Sequence, residues 1–431
     1  MNQNTFNNPF LNELQWRGQL NNFTPDVDKL LNSEKVTAYI GFDPTADSLH
    51  VGSLAQIITL MRFQKAGHKP IALLGGATGM IGDPSGKKEE RKLLSEEDVR
   101  YNVESVQKQL SKFLDFSGNN AAEVVNNIDW TKNLSIIEFL RNVGKHFSIN
   151  YMMAKDSVST RLETGISFTE FSYQLLQAYD FYWLYTHKNC KLQMGGSDQW
   201  GNITSGIELI RKITGQEAHA ITTQLITKSD GTKFGKTESG NVWLDRKKTS
   251  PYKFYQFWLN TSDDDAKNYI KIFTFLSKKE IDELIEKHLQ APHERVLQKT
   301  LAKELTSLVH SVDDYEDAKK ASEILFNGTI NDLAQLPETT FQEIMEGVPV
   351  SHLPYSIIEN GVDIVEFLSQ HTQIFPSKSE ARKSIQSNAI SINKEKITDI
   401  KYSITTQNII KQKFILIQKG KKNYYLCYIE K

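Results

Sequence analysis

A chain of 431 residues with 39% hydrophobic and 24% charged content has a globular composition and is too long for one ordinary core, so two or three domains are expected. Two cysteines, Cys190 and Cys427, exclude a disulfide framework and a cysteine-based zinc site. The net charge of −1 hides an asymmetry: from Pro376 to Lys431 twelve Lys and Arg stand against four Asp and Glu, a basic tail on an acidic body. Such a tail suits a polyanion, most often nucleic acid, with a lysine-rich surface as the plainer alternative.

The opening Met-Asn-Gln-Asn-Thr-Phe has no basic region followed by an apolar core, and no run of about eighteen apolar residues occurs, so a cytoplasmic protein without a membrane span is expected. Residues 1–35 read as helical, with Phe10, Leu11, Leu14, Trp16, Leu30 and Leu31 as packing positions. Val36 to Ile40 is a β-branched and aromatic run that predicts a buried strand. From Leu54 the apolar positions Leu54, Ile57, Ile58 and Met61 fall on one face of a helix that stops near Gly67. Between strand and helix lie Gly41, Asp43-Pro44, Asp47-Ser48 and Gly52, turn and helix-start residues that bring backbone N–H groups to one spot. That arrangement attracts phosphate, and Thr45 and His50 sit in the same loop as donors; a plain strand–loop–helix with one histidine is the alternative.

Ile71 to Leu74 predicts the next strand, followed by a second glycine-rich loop from Gly75 to Lys87. In a parallel sheet such loops share the edge where ligands bind. Neither the P-loop nor the G-x-G-x-x-G fingerprint is present: three residues separate Gly82 from Gly86, and Lys88 follows Lys87 where Ser or Thr is required. The chemistry left is Asp83, able to hold an ammonium group, with Lys87 and Arg91 as cations suited to a pyrophosphate leaving group.

Residues 93–165 read as helices, among them Val99–Leu114 and Ile136–Val143; the apolar face of Asn150–Lys155 suits core or subunit contact equally. On a helix beginning at Phe168, Tyr173, Gln177 and Asp180 line one stripe of an apolar rod, either as satisfied core groups or as ligand contacts. Leu192 onwards reads as a strand, a Gly195-Gly196 loop and a helix from about Asn202. There Asp198 either accepts from ribose hydroxyls or caps the helix. Thr227 to Gly240 places Lys233 and Lys236 in a glycine-rich loop able to close over phosphates, or simply solvated. From Ser250 the chain turns all-helical, with the aromatics of 252–258 as core. An irregular connection is expected near 330–360, then a basic helix Ser377–Ser387 and strands at 389–393, 414–417 and 424–429.

The pair His50-Val-Gly-Ser53 and Lys233-Phe-Gly-Lys-Thr237 resembles the two signatures of class I aminoacyl-tRNA synthetases. The strings Tyr39–Gly52, Gly75–Lys87, Phe168–Asp180 and Gln193–Trp200 are similar to the bacterial tyrosyl-tRNA synthetase family, and the basic tail resembles an alpha-L RNA-binding module. The resemblance covers nearly the whole chain in order. It implies an α/β fold: a Rossmann-like parallel-sheet catalytic domain over 1–245 holding the dimer interface, an α-helical anticodon-arm domain over 246–335, a linker over 336–361 and a small α+β RNA-binding domain over 362–431.

It further implies a tyrosine–tRNA ligase that forms tyrosyl-adenylate from tyrosine and ATP, then charges tRNA(Tyr), as a homodimer using Mg²⁺ with ATP. Tyr39 and Asp180 would bond the tyrosine hydroxyl; Tyr173, Gln177 and Asp83 its ammonium group, with Gln193 in the same pocket. Gly41, Asp43, Gly52, Gly196, Asp198, Gln199 and Lys236 would line the nucleotide. Thr45 and His50 would stabilise the phosphates, while Lys87, Arg91, Lys233 and Lys236 hold the departing pyrophosphate. No general base is required, because the attacking carboxylate is already ionised. This copy departs from the family at Ser53, where His is usual, and at Ile40, where some relatives carry a polar residue, so altered ribose contacts are expected. A tryptophan-specific relative is disfavoured by Asp180, since indole offers no hydroxyl. An RNA-binding protein with an inactive synthetase body is disfavoured by Thr45, His50, Lys233 and Lys236.

Overall fold

Six strands, β1 Leu20–Phe23, β2 Thr37–Phe42, β3 Lys69–Leu74, β4 Glu123–Asn126, β5 Cys190–Gly196 and β6 His219–Thr223, form one sheet in the order β1-β6-β5-β2-β3-β4. They come from a computed structural model that describes residues 6–85, 93–159, 161, 165–232, 234–237, 240–345, 348–420 and 423–430. β6, β5, β2, β3 and β4 run parallel, and β1 closes one edge antiparallel to β6. The strand order reverses between β2 and β5, so the crevice beyond their carboxyl ends is where such a sheet binds ligands.

Helix Val51–Lys65 follows β2. Its Leu54, Ile57, Ile58, Leu60 and Phe63 are buried, and His50 stands at its N-cap. Helix Phe168–Lys188 precedes β5 and packs Phe181 and Leu184 against Tyr39, Ile71, Leu73 and Cys190. Its first turn is pinned by the Ser167 cap and by a buried ion pair, Arg161 Nη2 to Glu170 Oε2 at 2.9 Å. A pair this deep fixes geometry more than it adds stability, because both charges have been desolvated.

The described chain divides into two compact units, residues 1–249 with 257–305, and 250–256 with 306–431. In the second, strands Glu395–Lys396, Ile390–Ile392, Phe414–Lys419, Asn423–Glu430 and Val350–Pro354 form a sheet in that order, with the last pair parallel. Helix Lys378–Gln386 buries Ala381 and Ile385 in its core and leaves Lys378, Arg382 and Lys383 exposed. Among the described residues, no helix is long and apolar enough to cross a membrane.

Several expectations need correction. Residues 1–35 are not wholly helical: Leu20–Phe23 is a strand between helices Pro9–Trp16 and Val27–Ser33, recruited by β6 rather than by its own pattern. Residues 93–165 include the strand β4, whose four residues are all half-buried and show no alternation. The irregular connection at 330–360 and the linker at 336–361 are replaced by helices Ile330–Gln335, Glu338–Met345 and Tyr355–Glu359 and the paired strand Val350–Pro354. Its prolines flank these elements, and Pro354 ends an edge strand, where a missing N–H costs little. The aromatics Tyr252, Phe254, Tyr255 and Trp258 are buried as expected.

Candidate active site

Beyond the carboxyl ends of β2 and β5 lies a cavity of about 410 Å³, lined by Tyr39, Gly41, Asp43, His50 and Gly52 from the first loop. Asp83, Tyr173, Gln177, Asp180, Gln193, Gly196, Asp198 and Gln199 complete the set drawn from sequence, and Ile40 and Ser53 line it too. The stripe Tyr173–Gln177–Asp180 therefore faces the cavity from one side of its helix. Thr45 is exposed and stands outside the lining, as does Lys236 on the short strand Lys236–Thr237. Lys87, Arg91 and Lys233 lie outside the described residues.

At the deep end, Asp180 is 2% exposed. Its two oxygens accept from Trp130 Nε1 at 2.8 Å and Asn127 Nδ2 at 2.9 Å. Burial pushes its carboxyl up to about 7, with the two donors pulling the other way and the Asp43 charge adding to the rise. The Tyr39 hydroxyl, also buried, has no protein partner among the described residues, and burial followed by Asp180 holds it far above the usual phenol range. An acceptor pair of oxygens and an unpartnered phenol at the end of a slot can bond a hydroxyl that both donates and accepts.

Neither Asn127 nor Trp130 carries a functional signal in the sequence. Trp130 is oriented by stacking on Trp183 (centroids 4.2 Å, planes 11° apart), which stacks on His187. Asn127 follows β4, a strand with no pattern of its own, so neither residue sits in a recognisable motif.

Asp43 accepts from Tyr173 Oη and Thr78 Oγ1, both at 2.8 Å, and Asn127 Nδ2 also donates to Thr78 Oγ1 at 3.0 Å. One hydrogen-bond network thus joins Tyr173, Asp43, Thr78, Asn127, Asp180 and Trp130. The second glycine-rich loop supports it: a Cβ on Gly75 would lie 2.0 Å from Asp43 Oδ1. The N–H groups of Gly76 and Ala77 donate to the side chains of Asn126 and Asn127 rather than remaining open for phosphate. Asp83 accepts from Ser85 N–H at 2.9 Å and Gln199 Nε2 at 2.7 Å. Asp198 is not a helix cap, since Gln199 occupies that position before helix Trp200–Thr214. His50 Nδ1 accepts from Gly52 N–H at 3.0 Å, its ring edge-on to Trp243.

A parallel sheet with its cavity at the strand-order reversal, flanked by a histidine-capped helix and a lysine-bearing loop, defines a nucleotide-activating enzyme of the class I synthetase kind. The chain belongs to that family: "tRNA synthetases class I (W and Y)" matches residues 31–327, and "Tyrosine--tRNA ligase SYY-like C-terminal domain" matches residues 340–427. The tyrosine–tRNA ligase of Bacteroides fragilis is 57% identical, over 97% of this chain and 99% of its own. That of Cytophaga hutchinsonii is 56% identical over 97% and 98%. Among solved structures, a C-terminally truncated mitochondrial tyrosyl-tRNA synthetase of Aspergillus nidulans aligns with TM-score 0.67 at 31% identity, covering 74% of this chain and 94% of that one. The Archaeoglobus fulgidus tyrosyl-tRNA synthetase complexed with L-tyrosine shares the fold at 16% identity and TM-score 0.54, covering 72% and 99%.

Trp130→Phe removes one donor from the ionised Asp180 while keeping an aromatic ring against Trp183. A hydrogen bond to a charged group contributes about 1.5–3 kcal/mol, so the Asp180 midpoint should rise by about one to two pH units. A carboxyl-carbon NMR titration of the ligand-free protein reads this directly, and an unmoved midpoint contradicts it.

Proposed function

We propose that the network around Asp180 and Asp43 selects tyrosine and positions its carboxylate for attack on ATP. The chain is a tyrosine–tRNA ligase: it joins L-tyrosine to AMP with release of pyrophosphate, then passes tyrosine to the terminal adenosine of tRNA(Tyr). The observation carrying the specificity is Asp180, a buried carboxylate held by Asn127 and Trp130 beside an unpartnered Tyr39 hydroxyl. A phenol satisfies both groups; phenylalanine leaves them unpaired in a dry site, a rule for which this family is itself the standard illustration. Tryptophan offers Asp180 only an N–H and Tyr39 nothing to bond.

In this reading Asp83, Tyr173 and Gln177 receive the ammonium group, with Gln193 beside them. Gly41, Asp43, Gly52, Gly196, Asp198 and Gln199 border the nucleotide. Thr45 and His50 bond the phosphates as charge builds, and Lys87, Arg91, Lys233 and Lys236 hold the pyrophosphate. Mg²⁺ travels with ATP as part of the substrate. Catalysis is positioning plus charge stabilisation, with no proton to remove from the attacking carboxylate.

The domains divide the work in the same way: activation in 1–245, tRNA contacts in the helical region 246–335 and in the basic C-terminal module, whose sheet includes Val350–Pro354. The active form is a cytoplasmic homodimer. Supporting the dimer, Ile136, Ile137, Leu140, Ile149, Met153 and Phe168 are exposed apolar side chains on helical segments whose buried sides share one hydrophobic cluster, more than a solvated surface ordinarily carries.

The tail's RNA surface is narrower than its composition. Lys394 donates to Ile324 O and Leu325 O, Lys411 to Leu336 O, and Lys413 pairs with Glu338, while Lys419 lies over the Phe375 ring. Lys378, Arg382 and Lys383 remain exposed on one helix and are assigned to RNA.

Three measurements test this reading. Tyrosine should support exchange of labelled pyrophosphate into ATP; better exchange with tryptophan, or none with tyrosine, defeats it. Asp180, with its midpoint near 7, must be ionised to accept the phenol, so binding below that pH releases a proton. Tyrosine affinity should therefore fall by up to about tenfold per pH unit below about 7 and level off above, in equilibrium binding on the wild type; Asp180→Asn should abolish the dependence. Replacing Lys378, Arg382 and Lys383 together by Gln should flatten the log–log salt dependence of tRNA affinity by about two, since each neutralised phosphate adds about 0.7 to that slope. Pyrophosphate exchange should stay within about twofold of the unaltered protein, and an equal loss of both would contradict a separate RNA role.

A further inference from the structure

Helix Asp263–Phe273 touches the lysine-bearing loop at three independent points. Asp265 Oδ1 accepts from Ser229 N–H at 2.7 Å, and Asp265 is 7% exposed. Tyr269 Oη donates to Thr227 O at 3.1 Å. The ring of Phe234 enters an aromatic box made by Tyr269 (4.9 Å), Phe273 (5.3 Å), Phe257 and Trp258 (both 5.9 Å). Phe234 also lines the active-site cavity.

The next residue closes on the other signature. Gly235 has φ +78°, and a Cβ there would lie 2.8 Å from Val51 Cγ2, so only glycine permits the approach. Val242, beyond the short hairpin that carries Lys236, donates to Gly235 O and accepts from Val51 N–H. The loop is thus seated on the first turn of helix Val51–Lys65.

The far end of that same helix holds the far end of helix Asp263–Phe273. Arg62, 1% exposed, donates to Thr274 O at 2.7 Å. Arg17, 3% exposed, donates to Lys271 O at 2.6 Å, Thr274 O at 3.1 Å and Leu276 O at 2.8 Å. Two guanidiniums on the terminal carbonyls of a helix satisfy orphan acceptors and complement its dipole. The contacts form a closed ring: helix Val51–Lys65, Arg62, helix Asp263–Phe273, the loop from Thr227 to Gly235, and back to Val51.

We propose that Phe234, Tyr269 and Asp265 are positioning residues for adenylate formation, fixing where the Lys236 hairpin stands relative to His50 and Gly52. Lys236 is exposed, on a two-residue strand with little packing of its own, so its place is set by where its root at Phe234 is anchored. An amine that must meet a departing pyrophosphate loses effect steeply with displacement; an ångström can cost about 10²-fold in rate. The tyrosine end of the cavity is built on other elements, so the ring acts on the ATP half of the reaction alone. The inference rests on the pyrophosphate-side role assigned above to Lys236.

The test uses the full-length protein with Phe234→Ala, Phe234→Met, Tyr269→Phe and, as a separate arm, Lys236→Ala. Equilibrium tyrosine binding without ATP is measured beside tyrosine-dependent pyrophosphate exchange, with kcat and the KM for ATP resolved. Phe234→Ala should slow exchange by about 10²-fold, and Phe234→Met, which refills the box, should recover most of it. Tyr269→Phe, which removes one neutral hydrogen bond, should slow exchange about fivefold. Tyrosine affinity should stay within about twofold throughout. Exchange within about twofold of the unaltered protein in both Phe234→Ala and Tyr269→Phe overturns the proposal. So does a loss of tyrosine affinity in step with exchange, which marks a merely structural role, and a loss in Phe234→Ala alone removes Tyr269 from the assignment. If Lys236→Ala leaves exchange intact, the role of Lys236 is what fails, whatever the Phe234 variants do.

Discussion

The carboxylate of Asp180, taken out of water between Asn127 and Trp130, is the interaction on which the deep end of the cavity depends. A buried carboxyl either finds donors or takes up a proton, and here the balance is nearly even, with a midpoint of about 7. Two N–H donors are enough to hold the group in place but not enough to make its charge comfortable. A third donor, such as the hydroxyl proposed to bind here, would complete the set. On the reading proposed above, selectivity for that hydroxyl would come from an environment left one hydrogen bond short, with Trp130 and Asn127 held as firmly as Asp180. The Trp130–Trp183–His187 stack and the position of Asn127 behind β4 do that holding.

The same network reaches Asp43, which is proposed above to border the nucleotide. Asn127 bridges Asp180 to Thr78, and Thr78 to Asp43, which also accepts from Tyr173. Asp43 thus shares one network with Asp180, and its carboxylate lies against Gly75, where a Cβ would stand 2.0 Å from Oδ1. Adenylate formation needs the tyrosine carboxylate and the α-phosphorus brought to one point. A continuous chain of short hydrogen bonds between the two binding regions is a rigid way of keeping that distance. Loops held only by solvent would leave it to chance.

What is legible in the sequence follows from periodicity. The stripe Tyr173–Gln177–Asp180 appears because polar groups interrupt a 3.6-residue apolar rhythm on a long helix. β2, β3 and β5 appear because apolar, partly β-branched runs sit between glycine-rich loops. β1 and β4 stay hidden because edge strands of four mostly half-buried residues carry almost no alternation and exist through their neighbours. Asn127 and Trp130 are invisible for a related reason: they lie about fifty residues before Asp180 and act only across the fold. Val350–Pro354 reads as linker because five residues ending in proline, with Leu353 alone buried, look like a loop until Asn423–Glu430 pairs with them. The basic tail misleads in the opposite direction. Composition counts Lys394 and Lys411 as free cations, yet each ends on backbone carbonyls next to a helix end.

The distribution of unmet hydrogen bonds shows where the site is left unfinished. Among the described residues, the buried side-chain atoms without a protein partner include Tyr39 Oη and the Oε1 atoms of Gln56, Gln177 and Gln193, and all four residues line the same cavity. Four of them converging on one cavity marks its wall as a place where the polar groups of a bound molecule would find partners. Gln56 sharpens the point: Thr223 fixes its amide nitrogen at 2.8 Å, which leaves the carbonyl oxygen as an oriented acceptor on the signature helix, three residues beyond Ser53. Beyond the short Ser53, a longer polar side chain stands one turn further along the same helix. Ser53 and Gln56 thus both present polar groups to the same cavity wall.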